Sequence, residues 1–121
     1  GDEGLAEFRR ILARDPADMR KSFEGLCGLV RDVLGQEPTS ASLFVFFNRV
    51  RDRVKILYWD RNGLCIWYKR IEISKFPPVR VEHPALLIDP PRLTLLLEGI
   101  DLAGAKQKQS FAWNPAQKGS P

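Results

Sequence analysis

The side chains of this 121-residue sequence that could do chemistry are its carboxylates, two cysteines, one histidine and nineteen lysines and arginines. His83 stands beside Pro84 with no cysteine or second histidine at metal-ligand spacing, which speaks against a zinc site and against a histidine-based triad. Cys27 falls on a helical apolar stripe and Cys65 in a strand-like run, so both read as packing thiols and not as a disulfide. Asp18, Glu24, Asp52, Asp60, Glu98 and Asp101 would make a two-metal centre only if folding gathered them, and Asp18 and Asp60 have sufficient roles as a cap and a turn former. No glycine-rich loop precedes a Lys-Ser or Lys-Thr pair, so nucleotide hydrolysis has no support. The sequence reads as non-catalytic, with no metal and no cofactor.

The cations say more. Between Arg49 and Lys75 there are eight basic residues and three acids, so this span carries +5 while the rest of the chain is near −1. Arg49, Arg51, Arg53, Lys55, Arg61, Lys69 and Arg70 are candidate phosphate contacts, because a positive field confined to one segment is the footprint of a polyanion-binding surface. Trp59 and Trp67 are candidates to stack on a base or to meet a protein partner. Arg20 and Lys21 join them, since cations in the first turns of a helix oppose its dipole and want either an acidic partner or a nearby carboxylate such as Glu24.

The element that must position these groups is Leu43–Arg70. Three runs of β-branched and aromatic residues, Leu43–Phe47, Arg53–Trp59 and Leu64–Ile71, are separated by turn formers at Asn48–Asp52 and Asp60–Gly63, which predicts a meander. A three-residue Arg61-Asn62-Gly63 loop with Gly63 at positive φ would pair Trp59 with Cys65 and Leu57 with Trp67. One face then carries Val54, Ile56, Tyr58, Leu64, Ile66 and Tyr68, and the other Lys55, Leu57, Trp59, Trp67 and Lys69. A two-residue Asn62-Gly63 loop would shift this pairing by one.

Leu5, Phe8, Ile11 and Leu12 recur at helical spacing, suggesting a short amphipathic helix or a frayed arm. Asp15-Pro16, or Asp18, then opens a long helix with Met19, Phe23, Leu26, Cys27, Val30, Val33 and Leu34 on one stripe and Gly35 as its stop. Gly25 and Gly28 within it suggest close packing on the sheet. Val79-Arg80-Val81 suggests a short edge strand, and Asp89-Pro90 opens a short helix ending at Gly99. The fold class is thus α+β: an antiparallel β-meander of three or more strands packed on one long amphipathic helix, with a short C-terminal helix. It fills a single domain over residues 1–102, with an ill-defined arm at 1–15 and a flexible, polar tail at 103–121 anchored only by Trp113. No apolar run approaches the roughly 20 residues that cross a bilayer, and no signal peptide opens the chain, so a cytoplasmic protein without membrane contact is expected.

Several stretches in order resemble one family: Asp18-Met19-Arg20-Lys21-Ser22-Phe23-Glu24-Gly25-Leu26, Leu43–Arg49, Asp52–Asp60, Gly63–Arg70 and Leu96-Leu97-Glu98-Gly99-Ile100-Asp101. They are similar to the accessory protein of insertion sequence 66, the small TnpB-type product of that element's second reading frame. The resemblance covers about 85 residues. It implies a role beside a separate transposase in moving a bacterial mobile element, and it brings no catalytic residues. Members of the family open with a strand-like apolar segment, where Leu5–Arg14 here reads as helical.

Together these readings give an accessory protein that binds DNA, such as element ends, through a basic β-hairpin, and that would then be nucleoid-associated. The alternative is a module that docks on the transposase without touching DNA, or hides its tryptophans in a homodimer. A nuclease using scattered carboxylates is the third possibility. Replacing Arg49, Arg51 and Arg53 together is expected to leave the fold intact and weaken DNA binding.

Overall fold

The computed structural model describes residues 8–99; the tail, Trp113 and Asp101 lie outside the described residues. Five strands form one sheet: β1 (Arg9–Ala13), β2 (Ser42–Phe47), β3 (Arg53–Asp60), β4 (Gly63–Arg70) and β5 (Ala85–Leu87), in the order β4-β3-β2-β1-β5. Among the described residues two short helices accompany it, α1 (Phe23–Asp32) and α2 (Pro90–Leu97). β2, β3 and β4 are antiparallel neighbours, β1 runs parallel to β2, and β5 closes the other edge antiparallel to β1. The expected meander on one long helix is therefore replaced by a mixed sheet with a helix on each face. None of the described helices is long and apolar enough to cross a membrane.

Burial on both faces explains the departure. Ile11, Phe44, Phe46 and Leu57 pack with Leu26, Cys27 and Val30 of α1, while Leu12, Val45, Phe47, Val54 and Ile56 pack with Phe76, Ile88, Leu93 and Leu96 on the other side. A strand covered on both faces reads as a continuous apolar run without alternation, which is what Leu43–Phe47 shows. The same logic makes the adjacent pair Ile11-Leu12 a strand, one side chain to each face. Pairing with β2 overrides the helical spacing of Phe8, Ile11 and Leu12, while Leu5 lies outside the described residues.

The first helix is shorter than its stripe. Asp18 closes a local turn, accepting from the backbone N–H of Arg20 at 2.9 Å and from that of Lys21 at 3.0 Å through its carbonyl. The carbonyls of Met19 and Lys21, which a longer helix would need as acceptors, instead take the ammonium of Lys55 at 2.9 and 2.7 Å. Helical bonding begins only at Ser22, whose carbonyl accepts from Leu26. At the other end Gly35 takes φ +65° just past the helix, the left-handed residue that ends many helices.

The glycines inside α1 do not approach the sheet. A Cβ on Gly25 would lie 2.9 Å from Cβ and Cγ of Lys21, whereas one on Gly28 would meet nothing within 4 Å. Since a helical Gly costs roughly 0.5–1 kcal/mol relative to Ala, G28A is expected to stabilise the fold by about that amount in a urea titration. Destabilisation would mean that this face of α1 is covered.

The β3–β4 turn has two central residues. Asp60 pairs with Gly63, Trp59 with Leu64 and Ile56 with Trp67, and the positive φ falls on Arg61, at 56°, and not on Gly63. Compared with the three-residue loop, the register slips by one and the residues of β4 exchange faces. Trp59 then shares the α1 face with Lys55 and Leu57, and Trp67 lies on the opposite one. The short edge strand also falls later than Val79–Val81, at Ala85–Leu87. Helix α2 opens where its capping residues indicate: the Asp89 carboxylate accepts from the Arg92 N–H at 3.0 Å, with proline in the first two positions.

Candidate nucleic-acid interface

The turn between β2 and β3 is built by Asn48. Its side-chain oxygen accepts from the backbone N–H groups of Asp52 at 3.0 Å and Arg53 at 2.9 Å, and its amide donates to the Asp52 carboxylate at 2.7 Å. Asparagine at the head of a turn does this because its short side chain mimics the backbone. The clamp leaves Arg49 and Val50 exposed at the tip. β1 runs parallel to β2, so the chain leaving β1 arrives at the same end of the sheet, where Ala17 donates its N–H to the Phe47 carbonyl at 2.8 Å.

Between these two segments lies an open cleft of about 470 Å³, lined by Asp18, Met19, Asn48, Arg49, Val50 and Arg53 among others. Arg53 lies directly opposite Arg70 across β3 and β4. Like charges facing each other across a strand pair destabilise it unless something answers them. Arg70 is answered by Glu72 at 2.8 Å, which raises its pKa further. Arg53 reaches the Tyr68 hydroxyl at 3.3 Å and no carboxylate among the described residues.

The remaining cations are distributed by the fold. Arg51 is turned inward: its guanidinium donates to the carbonyls of Phe76 at 3.0 Å and Pro77 at 2.6 Å and lies 4.5 Å over the Phe47 ring. Burial presses its pKa below the ordinary arginine value. Lys55 is only 8% exposed, with its ammonium on two carbonyls and 4.7 Å over Tyr68. Lys69 donates to the Leu97 carbonyl at the end of α2 at 3.0 Å. Arg61 is exposed at the far end of the hairpin, 3.8 Å from Asp60. One sheet end thus gathers Arg49, Arg53 and Arg70 beside Arg20 and Lys21, and Arg61 stands apart, about 23 Å away along an eight-residue strand.

Arg20 precedes the helix instead of standing in its first turn, and Asp18 holds it, accepting from Nε at 3.0 Å and Nη2 at 2.7 Å. These side-chain hydrogen bonds, then the Arg20 N–H, hold the Asp18 carboxyl at about 2. A carboxyl lowered in this way supports the turn above its ordinary range and loses that support as pH falls through about 2. A carbon-detected NMR titration is expected to place the Asp18 midpoint at about 2 and to return it toward 3.8 in R20A. An unshifted wild-type midpoint would mean that the pair does not hold in solution.

Asn48 and Asp18 organise this end of the sheet: the sequence places Asn48 at the head of a turn and Asp18 as a candidate cap, but not the bonds by which Asn48 clamps Asp52 and Arg53 and Asp18 holds Arg20. No three His, Cys, Asp or Glu side chains come together as a metal group among the described residues. Burial pushes the Cys27 thiol above its ordinary value, which disfavours the reactive thiolate.

The site is thus a turn-borne cationic cleft at the strand ends of a small mixed sheet covered on both faces. The family model described as IS66 Orf2 like protein matches residues 9–107, and the chain belongs to that family. It is 35% identical over 103 residues to the uncharacterized protein y4jC of Sinorhizobium fredii, covering 84% of this chain and 86% of that one. To y4hO of the same strain, also uncharacterized, it is 32% identical over 108 residues, covering 89% and 90%. No solved structure matches. Family membership makes this a transposition-associated accessory protein, outside the known catalytic families.

Proposed function

We propose that this accessory protein binds DNA through the β2–β3 turn end of its sheet, with Arg49 and Arg53 as the principal phosphate contacts and Arg20, Lys21 and Arg70 at the margin. The observation that carries this reading is that Arg49 and Arg53 line one open cleft with no acidic side chain paired to either among the described residues, while Asp18 in the cleft lining is committed to Arg20 and Asp52 in the turn accepts from Asn48. Guanidinium groups suit phosphate because their parallel N–H donors match its oxygens two at a time. Arg51, Lys55 and Lys69 hold the fold and lend the site only their field.

Anisotropy titrations of element-end and random duplexes across a salt series test this. Each neutralised phosphate contributes about −0.9 to the slope of log affinity against log salt, so R49A/R53A is expected to flatten the slope by about 1.8. An unchanged slope, or no binding by the wild type at low salt, would overturn the proposal. The second reading, docking on the transposase or on a second copy, is favoured by the edge strand β4, where Trp67 and Tyr68 are 42% and 47% exposed. W67A would then weaken capture of the transposase and leave the salt slope untouched.

A further inference from the structure

We propose that the protein holds two DNA duplexes at once, through a second cationic cleft at the other end of the sheet; this rests on the reading of the Arg49–Arg53 cleft as a phosphate contact. The second cleft, of about 410 Å³, is lined by Phe8, Arg9, Arg10, Leu87, Asp89 and Arg92 among others. β5 pairs only with Ile11–Ala13, so the start of β1 extends past it. Ile88 then donates its N–H to the Arg10 carbonyl at 2.8 Å, which brings the first turn of α2 beside Arg10.

Among the described residues, three arginines and one carboxylate border this cleft, with Arg10 on the α2 face of β1 beside Arg92 and Arg9 on the opposite face at its rim. That carboxylate, Asp89, is occupied in capping α2 through the Arg92 N–H. Arg10 is oriented by a bond to the Phe8 carbonyl at 2.8 Å, and Arg9 touches Gln36 only at 3.4 Å. Most of the five N–H donors of each guanidinium are left for a ligand. Arg92 stands in the first turn of α2, where the helix dipole disfavours a cation unless an anion offsets it.

Arg9 pairs with Ser42 at the start of β2, and Arg49 follows the end of the same strand at Phe47, so the clefts are separated by at least the strand length, about 17 Å. Helices α1 and α2 cover the sheet faces between them, and Arg51, Lys55 and Lys69 are turned inward on the way. With those three cations bound to backbone carbonyls, each cleft meets its own segment of phosphate backbone.

The test uses the full chain, because Asp2, Glu3 and Glu7 precede this cleft in the sequence and their charge must be counted. Beads carrying a biotinylated duplex are loaded with protein and offered a fluorescent duplex of different sequence. The wild type is expected to capture the second duplex. R9A/R10A/R92A is expected to lose that capture while binding a single duplex within a few-fold of wild type by anisotropy. R92E, which suits the first turn of a helix and so spares the fold, is expected to lose it as well. Capture by both variants equal to wild type would overturn the proposal and assign bridging to self-association. A wild type that binds one duplex but captures no second would overturn it and leave the first cleft standing. Absence of any duplex binding would remove both.

Discussion

Replacing Lys55 by Met is expected to destabilise the fold by about 2–4 kcal/mol, lowering the melting temperature by roughly 10–20 °C. Methionine keeps the length of the apolar stem, so packing changes little. What goes is one ammonium bound to two backbone carbonyls, those of Met19 and Lys21, at a site 8% exposed. Each carbonyl would be left without its partner, and a buried acceptor that loses its donor costs about 1–3 kcal/mol. The cation above the Tyr68 ring is lost as well. Relaxation has one route: the two freed carbonyls can accept from Phe23 and Gly25 if α1 extends backward by a turn. That would pull Asp18 and Met19 out of the first cleft. K55M should therefore pair a lower melting temperature with weakened duplex binding at temperatures where it stays folded. A melting temperature within a few degrees of wild type would show that water satisfies these carbonyls and that Lys55 does not set the start of the helix.

Lys55 also shows where sequence reading stops. As one of eight basic residues in a basic ribbon it looked like a phosphate contact, because the charge of a lysine is visible in sequence and its neighbours across space are not. The turn chemistry of Asn48–Asp52 and Asp60–Gly63, the strands they join and the Asp89-Pro90 start of α2 are local signals, and they were legible. Strand β1 was not. Its five residues are held by pairing with β2, about thirty residues later, and local periodicity carries no trace of that pairing. The register of β3 and β4 depended on whether Gly63 or Arg61 would take the positive φ, and the structure puts it on arginine. At the candidate site, Arg49 and Arg53 were named from composition. The proposed second cleft was not named at all, because Arg92 lies over eighty residues from Arg9 and Arg10 and only β5 and α2 bring it to that end of the sheet.

The inward turn of Arg51 sets the other large expectation, since it makes Phe76 the pin of the segment between β4 and β5. F76A is expected to cost about 3–5 kcal/mol, the usual range for truncating a buried phenylalanine. Phe76 is 1% exposed and its ring lies 5.2 Å from that of Phe47, inside the cluster under α2. R51A removes two hydrogen bonds to carbonyls and a cation over Phe47, yet that guanidinium is only half-buried, so water can replace part of what is lost and the cost should be about 1–2 kcal/mol. Apolar burial has no such substitute, which is why the phenylalanine dominates. Both variants reach the first cleft. The Arg51 carbonyl accepts from the Phe76 N–H at 2.7 Å and that of Asp52 from Ile71 at 2.8 Å, so this segment braces the turn that presents Arg49 and Arg53. Replacing Arg49, Arg51 and Arg53 together therefore confounds a fold defect with lost contacts, and R49A/R53A is the cleaner probe. In F76A, amide exchange should accelerate first across residues 71–84 and the Asn48–Asp52 turn, and on the proposed reading duplex affinity should fall although Arg49 and Arg53 both remain. A cost below about 1 kcal/mol, or exchange that quickens uniformly over the molecule, would mean that the segment folds onto the sheet without this anchor.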